Sequence, residues 1–149
     1  MKKLDHIDEK GKINMVDNTA QPVGIKEAKA TGFIHLKPET IILIKENELE
    51  KAEILTVAEI AGIQAAKNTF NLIPLIHSTS LNQIDVKAYI YPNGIEINSY
   101  IKSVCQSGLE TEAITAVTVA LLTIFEFCKA VDSSMIVSEI KILHKSSGT

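Results

Sequence analysis

The chain has 149 residues, 46% of them hydrophobic and 22% charged, enough for one substantial hydrophobic core. All fifteen basic residues are lysine, so bidentate guanidinium clamps are excluded. A formal net charge of −3 without a dense basic run removes the electrostatic footing for nucleic-acid binding.

The opening MKKLDHIDEKGK is too polar for a signal peptide. The first 25 residues are polar and punctuated by glycine and proline, and read as an arm or loop (1–25) ahead of a single domain over 26–149. Ala28, Ala30, Gly32, Ile34 and Leu36 then alternate with mostly polar neighbours and predict a first strand. Pro38 followed by Glu39 opens a helix to about Asn47. A second helix is expected from about Ile54 to Leu72. On it Ala58, Ala61, Gly62, Ala65, Ala66 and Thr69 recur at three- and four-residue spacing, a small-residue face that lets another backbone approach closely.

Ile84, Val86, Ala88 and Ile90 alternate with Asp85, Lys87, Tyr89 and Tyr91, and the pattern resumes at Ile95, Ile97 and Ile101. The Asn93-Gly94 pair between them predicts a hairpin turn with positive φ at both positions. After Gly108 a long helix, roughly Leu109 to Val131, carries Ile114, Val117, Leu121, Ile124 and Cys128 on its buried stripe. Its apolar stretch, Ala113 to Cys128, is interrupted by threonines and closed by Glu126 and Lys129, which argues against a membrane span. A cytoplasmic protein with no membrane partner is the expectation. Asp132 and two serines end the helix, and Ile136, Ile140 and Ile142 mark a last strand.

The order β, α with an extra helix, β, β, α, β is the split βαβ or ferredoxin-like arrangement, an α+β fold with an antiparallel four-stranded sheet and helices on one face. The other sheet face would show Tyr89, Tyr91, Tyr100, Val137 and Leu143 among charges. It is either covered by another subunit or left to solvent as a mixed surface.

Candidate chemistry begins at Lys67, a cation on a mostly apolar helix, with His77 following three residues after Pro74. An unpaired buried ammonium is costly, so Lys67 meets an anion or reaches water along its stem. A snorkelling lysine and a hydrogen-bonded core histidine explain this segment equally well. Glu110 and Glu112 fall in the first turn of the long helix, about 200° apart, where capping competes with catalysis. Glu126 and Lys129, three residues apart in FEFCKAVD, read as a half-buried ion pair. Lys51 and Lys145 stand in polar surroundings. Neither Cys105 and Cys128 nor the scattered His6, His35, His77 and His144 resemble a zinc signature, and reduced packing thiols are expected.

With these segments laid out, the sequence resembles the cyclic pyranopterin monophosphate synthase family of molybdenum cofactor biosynthesis, the MoaC type. The resemblance is carried by MVD at Met15 to Asp17, by IAGIQAAK and LIPLIH up to His77, by GLETEAITAVTVALLTIFEFCKAVD from Gly108, and by the terminal HKSSG. It implies ferredoxin-like subunits in a homo-oligomer, a hexamer built as a trimer of dimers, with the active site near a subunit interface. The implied activity converts 3′,8-cyclo-7,8-dihydro-GTP into cyclic pyranopterin monophosphate and releases pyrophosphate, without cofactor or metal.

Carried over by position, the resemblance nominates Lys51, Lys129, Glu126, His77 and Glu110 as catalytic. It nominates Lys67, Glu112, Thr111, Lys145, Asp17 and Lys26 as substrate-binding. Lys67 and Lys145 suit phosphate contacts, Lys51 and Lys129 acid and base work, and His77 and Glu110 orientation or proton shuttling. The chain departs from the family at Lys26 (usually arginine), Asn68 (basic), Ser78 (proline), Thr111 (methionine) and Glu126 (aspartate). Its tail, SSGT, lacks a second lysine, which would weaken triphosphate binding. The alternative these departures favour is a non-catalytic relative that keeps the assembly and binds a purine nucleotide. An RNA-recognition module shares the topology, but the strands lack its aromatic pattern.

Overall fold

The computed structural model of the protein describes residues 4–146. Strands β1 (Gly24–His35), β2 (Gln83–Tyr91), β3 (Gly94–Cys105) and β4 (Ile136–Ser146) form one open sheet in the order β2-β3-β1-β4, antiparallel throughout. Helices α1 (Pro38–Glu46), α2 (Glu48–Lys67) and α3 (Thr69–Leu72) lie between β1 and β2, and α4 (Glu110–Cys128) lies between β3 and β4. This is the α+β arrangement that the alternating strands and the two helical crossovers predict.

Period-2 alternation decides which side is covered. Ala28, Ala30 and Ile34 of β1 and Ile95, Ile97 and Ile101 of β3 are fully buried on the helix-facing side. Against them α4 places Ala113, Ala116, Val117, Ala120, Leu121 and Ile124, also fully buried. Burial of each Val, Leu or Ile here is worth roughly 1.5–3 kcal/mol. The opposite sheet face carries exposed Tyr89, Tyr91 and Leu143, as the alternation predicts, but Val137 pairs with Ile34 and so lies on the helix-facing side, because the register of β4 shifts near Glu139, at φ 57°. Tyr100 lies there too, and its hydroxyl donates to Glu27 at 2.8 Å.

By length and composition alone α4 could cross a membrane. Its threonines do not argue against that, because Thr115, Thr118 and Thr123 donate their hydroxyls to carbonyls four residues back and need no water. What occupies the apolar stripe here is the sheet.

The small-residue face of α2 meets α4 directly. A Cβ at Gly62 would stand 2.9 Å from the Ala116 carbonyl oxygen and 2.9 Å from Val86 Cγ1, so only glycine fits the crossing. Ala58, Ala65, Ala66 and Thr69 are buried on the same face.

Several boundaries differ from the expectations: β1 starts at Gly24, inside the stretch expected to be arm, and α4 ends at Cys128, short of Val131. The second helix starts earlier than Ile54 and breaks at Asn68, whose side chain donates to the Gln64 carbonyl while Thr69 Oγ1 donates to those of Ala65 and Ala66. The hairpin turns on Pro92-Asn93, because Tyr91 pairs with Gly94 across the strands. Proline fixes φ near −65°, and neither Asn93 nor Gly94 has positive φ, so this is not the turn that Asn-Gly predicts. Gly94 is needed instead for space, since a Cβ there would collide with the Ile34 carbonyl and the Phe33 ring.

α2 and α4 run antiparallel. Later residues of α2 meet earlier residues of β2: Glu59 accepts from the Ala88 amide, and Gly62 lies against Val86. Later residues of α4 meet earlier residues of β3: Ser99 Oγ donates to the Ala113 carbonyl, and Val117 lies against Gly32, the partner of Ile97. The C-terminus of α2 and the N-terminus of α4 therefore share one end of the sheet, where β1 starts and β3 stops. We call it the loop end, and the Pro92-Asn93 side the hairpin end. At the hairpin end Asp132, 2% exposed, accepts from the Lys37 amide at 2.8 Å, Thr40 Oγ1 at 2.9 Å and the amide and hydroxyl of Ser134 at 3.0 Å. Burial pushes its carboxyl up, but these bonds outweigh it and hold the group at about 2.

Candidate active site

A cavity of about 410 Å³ opens at the loop end. His77, Thr111 and Glu112 line it together with Thr79 and the Gln106–Gly108 loop, and the arm closes its remaining side with Asp5, His6, Val16, Asn18 and Gln21. Pro74 stops the helical run before His77. Leu75 then adopts φ 71°, a left-handed conformation uncommon for a branched side chain, and Ile76 and His77 turn into the cavity.

The first turn of α4 splits its two carboxylates. Glu112 is 7% exposed and burial pushes its carboxyl up; a hydrogen bond to its own backbone lowers it, and the charge of Glu110 raises it further. Glu110 turns the other way, folding over Gly108 and pairing with Lys145 Nζ at 3.8 Å. A side chain at 108 would collide with that carboxylate, so the glycine gives it room. Asp17, exposed on the arm, accepts from Thr19 Oγ1 at 2.6 Å and the Thr19 amide at 2.9 Å. Those bonds lower its carboxyl, and the nearby His77 lowers it further, which places the two groups within electrostatic reach.

Cations ring the same end. Lys26, 7% exposed, lies on the helix-facing side of β1 opposite Ser103, and Lys145 pairs in register with Ala28. Lys67 is exposed in the last turn of α2, where the helix dipole favours positive charge. The loop end thus gathers Asp17, Lys26, Lys67, His77, Glu110, Thr111, Glu112 and Lys145.

Lys51, Glu126 and Lys129 are not brought there. Lys51 is half-buried in the first turns of α2, and Lys129 follows α4, so both stand at the hairpin end. Along the helices they lie about 24 Å from Lys67 and about 28 Å from Glu110 respectively, at 1.5 Å per residue. Lys129 Nζ meets Glu126 at 2.9 Å, but the two side chains are 55% and 67% exposed. The expected half-buried pair is an exposed one, because Phe127 and Val131 beside it also face outward within this chain.

The arm's contribution, apart from Asp17, is not signalled in the sequence. Asp5, His6, Asn18 and Gln21 belong to no periodic pattern, and Gln106 reaches Asn18 and Gln21 across more than eighty residues. Cys105 and Cys128 are free thiols. Among the described residues no three histidine, cysteine or carboxylate side chains come together as metal ligands. The terminal SSGT, apart from Ser146, lies outside the described residues.

An α+β fold with carboxylate, imidazole, hydroxyl and amide side chains lining one cavity, and lysines outside it at the same end of the sheet, makes the loop end the candidate small-molecule site. The chain belongs to the MoaC family, whose model matches residues 15–148. The cyclic pyranopterin monophosphate synthase of Thermoanaerobacter sp. is 44% identical over 147 residues, covering 97% of this chain and 93% of the relative. That of Desulfitobacterium hafniense is 40% identical over 146 residues, covering 97% and 90%. A molybdenum cofactor biosynthesis bifunctional protein of Chlorobaculum tepidum is 44% identical over 143 residues, 96% of this chain but 46% of that protein.

Proposed function

We propose that the chain is a cyclic pyranopterin monophosphate synthase, a lyase of molybdenum cofactor biosynthesis. It converts 3′,8-cyclo-7,8-dihydro-GTP into cyclic pyranopterin monophosphate and releases pyrophosphate. The observation that carries this reading is the convergence of His77, Thr111 and Glu112 on one cavity whose end also bears Lys26, Lys67 and Lys145. The cavity wall offers carboxylate, hydroxyl and amide groups to a ring system rich in N–H donors. The lysines outside it offer positive charge to a triphosphate. No cofactor enters this reading.

Lys51, Glu126 and Lys129 belong to the same reaction only if a second copy brings its hairpin end to this loop end. An acid or base must come within about 3 Å of the proton it moves, and these groups lie tens of ångströms away along their own chain. The site is therefore shared between protomers of a homo-oligomer, and a hexamer built from such pairs is the assembly we assign. Residues 26–149 act as one ferredoxin-like domain, 1–25 as its arm, and the protein works in the cytoplasm.

Incubation of the purified protein with the cyclised GTP intermediate tests the reading. Tricyclic pterin and pyrophosphate are expected in equal amounts. Nucleotide binding without pyrophosphate would replace the synthase with a non-catalytic relative.

A further inference from the structure

We propose that His6 is a further substrate-contacting residue, presented to the cavity by the arm as a strap, and that Gln106 is the positioning residue that fastens the strap. This rests on the reading of the cavity as the substrate site.

His6 lines the same cavity as His77 and Glu112. Its Nδ1 lies 3.2 Å from the Asn14 carbonyl oxygen, and a carbonyl can only accept, so Nδ1 carries the hydrogen. In the neutral ring Nε2 is then the nitrogen with a lone pair, an acceptor for a substrate N–H. The imidazole is built into this orientation. His6 takes φ 63°, its carbonyl accepts from the Asn14 amide at 2.8 Å, and Ile7 bridges Ile13 beyond it. Asp8 closes the tip by accepting from the amides of Lys10 and Lys12 around Gly11, itself at φ 77°.

Apolar burial does not hold this hairpin down: Leu4 is 80% exposed and Ile13 74%. Just after the hairpin, the arm is tied to the domain by polar bonds. Gln106 Nε2 donates to the carbonyls of Asn18 and Gln21, both at 3.2 Å, and Asn18 Nδ2 donates to Ser107 Oγ at 3.4 Å. A surface segment fastened by polar bonds and not by a buried apolar face opens more readily than the core, so its fastening residue governs how often His6 is in place.

The test uses the full chain and the cyclised GTP intermediate. His6→Ala should raise KM about tenfold with kcat within about twofold, the loss of one hydrogen bond to bound substrate. His6→Gln, whose amide oxygen can replace Nε2 as acceptor, should recover most of it. Gln106→Ala should raise KM similarly and speed hydrogen exchange at the Asn14 and Gln21 amides. The double variant should be no worse than His6→Ala, because Gln106 acts through His6. Independently of turnover, adding GTP to wild-type protein should shift the His6 imidazole resonances. Unchanged KM in His6→Ala or unmoved His6 resonances would overturn the contact, and additive effects would overturn the fastening role. A wild-type protein that makes no pterin product would count against the proposed function instead, with the resonance shift still deciding His6.

Discussion

The two ends of the helical layer carry similar residue types in opposite settings. At the loop end Glu112 is almost fully buried, its carboxyl is raised, and a cavity gives it a place to act. At the hairpin end Glu126 and Lys129 form a close ion pair in open solvent, where such a pair adds little to stability. Chemistry that needs both ends requires the exposed one to be covered from outside the chain. Burial separates them, and in the sequence the two pairs of carboxylate and neighbour look alike.

The largest effect that would sharpen this contrast is on turnover. Lys129→Ala should lower the rate of product formation by about 10³-fold, the range of a lost acid or base, while thermal unfolding and assembly stay unchanged. Near wild-type rates in single-turnover assays would remove Lys129 from the reaction.

Glu112→Gln comes next, with kcat/KM falling about tenfold to a hundredfold through one lost charge-assisted hydrogen bond. Its stability should move the other way. A carboxyl raised above its ordinary 4.5 in the folded state contributes most when protonated and loses that contribution as pH rises through the folded value. Urea midpoints should therefore favour Glu112→Gln at pH 7 and converge with the parent near pH 4.

Asp132 separates stability from chemistry. Asp132→Ala leaves the Lys37 amide and the Thr40 hydroxyl without their acceptor and should cost about 2 kcal/mol, with kcat unaffected. Its carboxyl lies at about 2 when folded against an ordinary 3.8, so its contribution is full above about pH 4 and fades as pH falls toward 2. Denaturation at pH 6 and pH 2.5 should show the gap between variant and parent narrowing. The smallest effect belongs to the exposed pair: a double-mutant cycle of Glu126→Gln and Lys129→Met should give a coupling of at most about 0.5 kcal/mol in stability.

Elements whose reason is local were legible before the structure. The alternation through Ala28 to Ile34, the stripe of α4 and the small-residue face around Gly62 each state a period and a face, and each packs as stated except at Ile114 and Ala61, which are only half-buried. Illegible features depend on contacts between distant segments or on side chains competing with the backbone. Asn68 and Thr69 break a helix by taking its carbonyls, and Pro92 displaces the turn that Asn93-Gly94 suggests. The family resemblance nominated loop-end and hairpin-end residues together and could not say that one chain keeps them apart. His6 escaped because a histidine in a polar arm has no periodicity to mark it, and Gln106, more than eighty residues on, holds that arm.

Complementation between two inactive variants measures the shared site most directly. His77→Ala damages the loop end and Lys129→Ala the hairpin end, so a mixed pair keeps one intact site. Unfolding and refolding the two variants together at equal amounts should restore about a quarter of the wild-type rate, as expected for random pairing about a two-fold axis. A mixture no more active than either variant alone would contradict a site shared between protomers.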